Sequence, residues 1–294
     1  MLQKILVATD LSEASRTPLG YAAALSHRLN ASLTALYVSP RYASYEPFPA
    51  FTSQSALDPA RQQGLKDEVR RFVEAAAGSQ PVQVIVRDGD PADEILAAAG
   101  ESSFDLVVLG THGRRGFERW SLGSVTDRVA RSLERPLLAV PPHSGTPAVI
   151  RMLCALDLSD ASAEVLAYAA GFAERLEARL LVLHVAEGSH WYDPWPISGV
   201  DPDAVRRAVA ETSESRLAEL VARHVPGAVP VEVRVTFGRA QREIERIAGE
   251  QADMVVLGVP SASGIDRLFF GSTAQHVLRA GACPVLLVRH APVA

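Results

Sequence analysis

Gly110-Thr111-His112-Gly113-Arg114-Arg115-Gly116 is followed by Gly123-Ser124-Val125, with nine residues between Gly113 and Gly123. These residue types suit a chain of phosphates. Gly110 and Gly113 let backbone approach an anion with no Cβ between them. Gly123, Ser124 and Val125 would open a helix and offer backbone N–H groups at its positive end. The Ser124 hydroxyl adds a donor, and Arg114 and Arg115 can offset charge. His112 lies inside the loop, where it could touch phosphate or carry a proton, although a loop histidine with no partner in sequence is more often positional. Glycines after a strand also simply make turns. Asp10 is the other candidate: its carboxylate, just after a short apolar run, can accept two hydrogen bonds from a ligand or cap the helix that follows.

The elements that must hold these residues are written twice. Residues 6–15, LVATDLSEAS, recur 147 residues later as LCALDLSDAS, which sets Asp157 opposite Asp10. Leu36-Tyr37-Val38 recurs as Leu183-His184-Val185. At an offset of 148, Asp105-Leu106-Val107-Val108-Leu109-Gly110 recurs as Asp253-Met254-Val255-Val256-Leu257-Gly258, and Gly123-Ser124 as Gly271-Ser272. Agreement in order, spacing and type across a whole half makes the chain two copies of one domain. The expected domains are residues 1–142 and 149–294, joined by a proline-rich linker at 141–147.

Within the first copy, strands are expected at residues 5–8, 33–38, 82–86, 106–109 and 137–140. Helices are expected at 14–29, from Pro59 to 76, from Pro91 onward and from Gly123 onward, with Ser12 as a helix cap. The second copy repeats this from 152 to 288. The βαβαβαβαβ order implies an α/β fold: two Rossmann-like domains, each a five-stranded parallel sheet with helices on both faces. Ligands of such sheets bind at the carboxyl ends of the strands, where Thr9-Asp10, Val38 and Gly110 lie.

Composition narrows the function. The chain has 294 residues, 48% hydrophobic and 21% charged, with a formal net charge of −5. A mildly acidic protein has no net field drawing it to nucleic acid or anionic lipid. No apolar run approaches the ~18 residues of a membrane span, and no export signal is apparent, so the expected location is cytoplasmic. The two cysteines, Cys154 and Cys283, sit in apolar stretches and read as buried small hydrophobes. Walker A, Gly-x-Ser-x-Gly and His-Glu-x-x-His signatures are absent, as is any zinc spacing, so no catalytic residue and no metal ligand is assigned. An aromatic-rich stretch at 190–196 is expected to pack over its own domain rather than hold a ligand.

The Gly110-x-x-Gly113 pair, nine residues and Gly123-Ser124, with Asp10 closing the first strand and Pro136 before the last, resemble the universal stress protein family. The resemblance covers nearly the whole chain and makes it similar to a tandem member. It implies an adenine-nucleotide site, with ATP as ligand, with or without magnesium. Asp10 would meet the ribose hydroxyls, the Val38 backbone the adenine edge, and Ala8 and Thr9 the base. Gly110, Gly113, Gly123, Ser124 and Val125 would hold the phosphates, beside His112 and Arg114. The implied role is regulatory, in a stress response, with little or no turnover. A weak ATPase, an autophosphorylating enzyme and an interaction module without nucleotide remain open.

The second copy departs from the pattern. Ser261 replaces the second glycine, Pro260 removes an N–H, and Ala262 and Ser263 face the two arginines. Asp157, Val185, Gly258, Gly271 and Ser272 survive, so this half is expected to be empty or weakly occupied. Strands 137–140 and 285–288 are apolar edges that need cover. Single-domain relatives pair such edges, which implies an internal pseudo-dimer here, compatible with a further homodimer and an unknown protein partner.

Overall fold

The computed structural model describes residues 2–40, 59–113, 122–145, 149–188, 201–261 and 271–290. Arg114, Arg115 and the stretch 190–196 lie outside the described residues. Two compact units emerge from the contacts: Met1–Arg135 with Val140–Thr146, and Pro136–Ala139 with Pro147–Ala294.

The first unit runs β1 (Lys4–Thr9), α1 (Arg16–Leu29), β2 (Ser32–Pro40), α2 (Pro59–Ala77), β3 (Val82–Gly89), α3 (Pro91–Glu101), β4 (Leu106–Gly110) and α4 (Ser124–Ser132). Its strands lie in the order β3-β2-β1-β4 and all pair parallel. Ile5, Leu6 and Val7 of β1 and Leu106, Val107 and Val108 of β4 are wholly buried. Continuous apolar runs are what a parallel strand covered on both faces requires. Register places Val7 beside Val108 and Thr9 beside Tyr37, so β1, β2 and β4 share one carboxyl edge.

Local chemistry sets the boundaries. Asp90 caps α3, accepting from Ala92 N and Asp93 N, with Pro91 in the first turn. At the far end of the sheet, Asp105 Oδ2 accepts from Gln3 N and Lys4 N, tying β4 to the start of β1. Ser12 differs from expectation. A 3₁₀ turn, Glu13–Ser15, intervenes before α1, and Ser12 makes no side-chain cap. Its hydroxyl instead donates to Asp10.

The second unit repeats the order: β6 (Arg151–Leu156), α5 (Ser162–Arg175), β7 (Arg179–Ala186), α6 (Pro202–His224), β8 (Val231–Phe237), α7 (Ala240–Gln251), β9 (Met254–Pro260), α8 (Ser272–Ala280) and β10 (Val285–His290). Its strands lie in the order β8-β7-β6-β9-β10. Asp253 repeats the Asp105 clasp, accepting from Ile150 N and Arg151 N and pairing with the Arg151 guanidinium.

Two features depart from a simple duplicate. The expected last strand of the first copy, β5 (Leu137–Val140), gives its residues 136–139 to the second unit, where 137–139 pair antiparallel with 285–287 of β10. And β9 is longer than its counterpart β4: it continues through Val259 and Pro260, paired with Arg289 and His290 of β10. Cys154 and Cys283 are both buried. Burial, aided for Cys283 by the Asp253 charge, pushes each thiol up to about 12, so neither is a nucleophile at neutral pH.

Candidate functional site

Asp10 leaves β1 at its carboxyl end. The next residue, Leu11, is left-handed at φ 62°, a conformation that costs a non-glycine residue about 1–3 kcal/mol. The turn is braced. Leu11 N donates to Thr9 Oγ1 at 3.1 Å, and the buried Thr9 and Ser15 hydroxyls lie 2.9 Å apart. Ser12 N (3.0 Å) and Ser12 Oγ (2.6 Å) both donate to Asp10 Oδ1. The carboxylate is thereby held half-buried at the sheet edge rather than turned to solvent.

The glycine loop comes to meet it. A Cβ built on Gly113 would sit 3.0 Å from Asp10 Oδ2. Two of the residues singled out from the sequence, about a hundred positions apart, are thus neighbours. Gly110, at the end of β4, has its carbonyl accepting from Thr126 Oγ1 at 2.6 Å, which ties the strand end to the first turn of α4. A Cβ there would meet His112 O at 3.2 Å and Pro18 Cγ at 3.3 Å. Gly123 is the N-cap of α4. Its N–H donates to Thr111 O at 2.8 Å, closing the loop on itself. That differs from the expectation of a free N–H at Gly123. Ser124 and Val125 follow in the first turn, whose N–H groups have no acceptor within the helix; Ser124 is exposed and Val125 half-buried.

Val38 is buried near the end of β2, and Thr9 and the half-buried Ala8 lie on β1 beside it. His112 is part-exposed, with its Nδ1 2.9 Å from Thr111 Oγ1. Arg114 lies outside the described residues. Three residues passed over in the sequence brace the site: Thr111, Thr126 and Ser15. Thr111 is buried at 1% exposure, donates its N–H to Val140 O and receives Gly123 N. Only Thr111 adjoins a candidate glycine in the sequence; Thr126 lies three residues past Gly123 and Ser15 five past Asp10, within reach of local side-chain bonds.

The second copy builds a different edge. Leu158, like Leu11, is left-handed, at φ 61°. Asp157 Oδ1 accepts from Ser159 N at 2.9 Å and Ser162 Oγ at 3.2 Å. Desolvation pushes the Asp157 carboxyl up, but the bonds from Ser159 and Ser162 outweigh it and hold it below the ordinary value. Val185 is buried on β7 as Val38 is on β2. Over Gly258 there is no room: a Cβ there would lie 2.7 Å from Val165 Cγ2 and 3.3 Å from His290 Cδ2. Ser261 N donates to His290 O, extending the β9–β10 ladder past Pro260. Gly271 caps α8 at φ 88°, ahead of Ser272.

Among the described residues no group of three His, Cys, Asp or Glu side chains could hold a metal, and no helix is long and apolar enough to cross a membrane.

Known proteins show the same double pattern. The profile of the universal stress protein family matches residues 1–141 and again 150–289. A universal stress protein of Mycobacterium tuberculosis is 28% identical over 307 residues, spanning 97% of this chain and 96% of its own. One from Thermus aquaticus is 34% identical over 142 residues, covering 47% of this chain and 97% of its own. In fold, the chain is similar to a universal stress protein from Archaeoglobus fulgidus, with a TM-score of 0.68 at 23% identity over 97% of this chain and 98% of that one. Two family matches end to end, and a relative of the same length aligned throughout, make the chain a tandem member of the universal stress protein family.

Proposed function

We propose that the first unit binds an adenine nucleotide, ATP foremost, at the carboxyl ends of β1, β2 and β4, and that occupancy rather than turnover is the signal it delivers. The observation that carries this reading is the meeting of Asp10 with Gly113. An acceptor for a ribose diol stands beside a backbone that carries no side chain, with the first turn of α4 close in sequence behind it. His112, with Nδ1 beside the Thr111 hydroxyl, supports an orienting role rather than a proton carrier. Magnesium would arrive on the triphosphate, since the described residues offer it no cluster of their own. The working domains are taken as 1–142 and 149–294, in a cytoplasmic protein that signals to a protein partner.

The second unit is read as empty or weakly occupied. Support comes from the Gly258 surface filled by Val165 and His290, the missing N–H of Pro260, and the Ser261 N–H engaged by His290 O. Losing one donor and gaining a Cβ removes about 2–3 kcal/mol of charge-assisted bonding, on the order of a hundredfold in affinity.

The test is calorimetric titration with ATP, together with mass spectrometry of nucleotide released from the purified, denatured protein. One tight site per chain, lost when Gly123 is replaced by a bulky residue, is the expected result. Two equal sites, or none, would overturn it.

A further inference from the structure

We propose that Thr126 is a positioning residue for the phosphate chain: its buried hydroxyl fixes the peptide at the end of β4 against the first turn of α4. The proposal rests on the nucleotide reading above for its ligand, but not for its geometry.

Thr126 is the third residue of α4 and is buried, at 4% exposure. Its hydroxyl donates to Gly110 O at 2.6 Å. Gly110 O and Thr111 N are the two ends of one peptide group, and in a trans peptide they point in opposite directions. Thr111 N donates to Val140 O at 3.0 Å. The peptide is therefore held at both ends. The next carbonyl, Thr111 O, accepts from Gly123 N at 2.8 Å. Two successive carbonyls of the glycine loop are thus gripped from one turn of helix, the first by Thr126 and the second by Gly123. Ser124 and Val125 lie between the two grips in sequence. Their backbone N–H groups have no acceptor within the helix. With both grips closed, these N–H groups are set against the loop before any anion arrives, so no ordering is left for the ligand to drive.

The second copy has the helix without the Thr126 grip. Helix α8 starts at Ser272 as α4 starts at Ser124, and the Thr126 position holds Ala274, also buried, with no hydroxyl to donate. The chain past Gly258 takes another route. Val259 pairs with Arg289 and Pro260 with His290, and Ser261 N donates to His290 O. The helix is entered through Gly271 at φ 88°, against −57° at Gly123. Where the hydroxyl is present, the strand stops at Gly110 and its last carbonyl belongs to the helix. Where it is absent, the strand runs on.

The residues read as meeting base and ribose stand elsewhere: Ala8 and Thr9 on β1, Asp10 just after it, and Val38 on β2. Loss of the Thr126 hydroxyl should therefore be felt through the phosphates and not through the base.

The test uses the full chain. T126V keeps the shape of the side chain and removes the hydroxyl, T126A copies the second unit, and T126S restores the hydroxyl. Affinities for ATP and for adenosine are measured by titration calorimetry. Amide exchange of Thr111 and Gly123 is followed by NMR without ligand, with Val7 and Val108 as controls. T126V and T126A are expected to bind ATP about tenfold more weakly, the worth of one hydrogen bond, with adenosine unchanged. T126S should keep the wild-type affinity for ATP. In T126V the Thr111 and Gly123 amides should exchange about tenfold faster, while the two valines stay as slow as in wild type. Equal losses for ATP and adenosine, ATP binding that survives T126V, or loop amides as slow in T126V as in wild type would each overturn the proposal. A wild-type chain that binds neither ligand, with loop amides that quicken in T126V, would sink the nucleotide reading and leave the positioning of the loop by Thr126 standing.

Discussion

Asp10 Oδ2 lies 3.0 Å from the point where a Cβ on Gly113 would be, closer than most real Cβ contacts. G113A should therefore turn the carboxylate away. Gly113 is not left-handed, so alanine strains no backbone there. Expected is a loss of ATP affinity of about tenfold or more, with stability within about 0.5 kcal/mol of wild type. Titration calorimetry and thermal melting measure the two; an unchanged affinity would remove Gly113 from the site.

Gly258, which ends the same apolar run in the second copy as Gly110 does in the first, should respond in the opposite way. An added methyl meets Val165 Cγ2 at 2.7 Å, on a β-branched side chain buried in α5 that has little freedom to move. G258A should destabilise the second unit by about 1–3 kcal/mol while leaving the ATP stoichiometry unchanged. Urea unfolding followed beside titration checks both; a drop in stoichiometry would mean that the second unit carries the ligand.

Asp253 gives a pH dependence with a definite sign. Desolvation raises its pKa, yet the Arg151 guanidinium and the N–H groups of Ile150 and Arg151 bring it below the ordinary value. A carboxyl depressed in the folded state stabilises above its unfolded pKa, about 3.9, and that contribution disappears as pH falls through the lower folded value. D253A should cost about 1–3 kcal/mol at neutral pH by leaving two strand N–H groups without their acceptor. Its deficit against wild type should shrink in acid. A deficit that is constant from pH 7 to pH 2 would show that the charge is not what Asp253 supplies.

Residues 137–139 pair with β10, so a fragment ending at residue 142 leaves that strand edge bare. Leu137, Leu138 and Ala139 are buried in the full chain. The fragment should self-associate, as bare apolar edges do. Light scattering after gel filtration reads this directly, and a stable soluble monomer would contradict it.

Much of this was legible in the sequence because two periodicities carried it. Unbroken runs such as Leu106-Val107-Val108 marked buried strands, and the repeat offset placed Asp157 and Gly258 opposite Asp10 and Gly110. The residues that brace the site were not legible. Thr126 acts through its hydroxyl on the Gly110 carbonyl, and Thr111 through its own backbone groups and a contact with the His112 ring, and no spacing in the sequence marks either. Ser12 looked like a helix cap because its type and place fit one. In the structure its hydroxyl donates to the nearby Asp10 carboxylate, and the helix begins after a further turn. Nor could sequence show that β9 runs on through Pro260. Proline ordinarily ends a strand, but here its missing N–H falls where the ladder tolerates the loss, and Ser261 N resumes the pairing.

The extension of β9 also makes this edge of the second copy hard to reopen. Val259 and Pro260 pair with Arg289 and His290 of β10, and Ser261 N donates to His290 O, so the backbone of that segment is scaffold, and the His290 ring lies over Gly258. A glycine at 261 would leave the strand pairing and the histidine both in place. Opening this edge takes coordinated changes on two strands, whereas a single substitution in the segment changes one side chain and leaves the ladder closed.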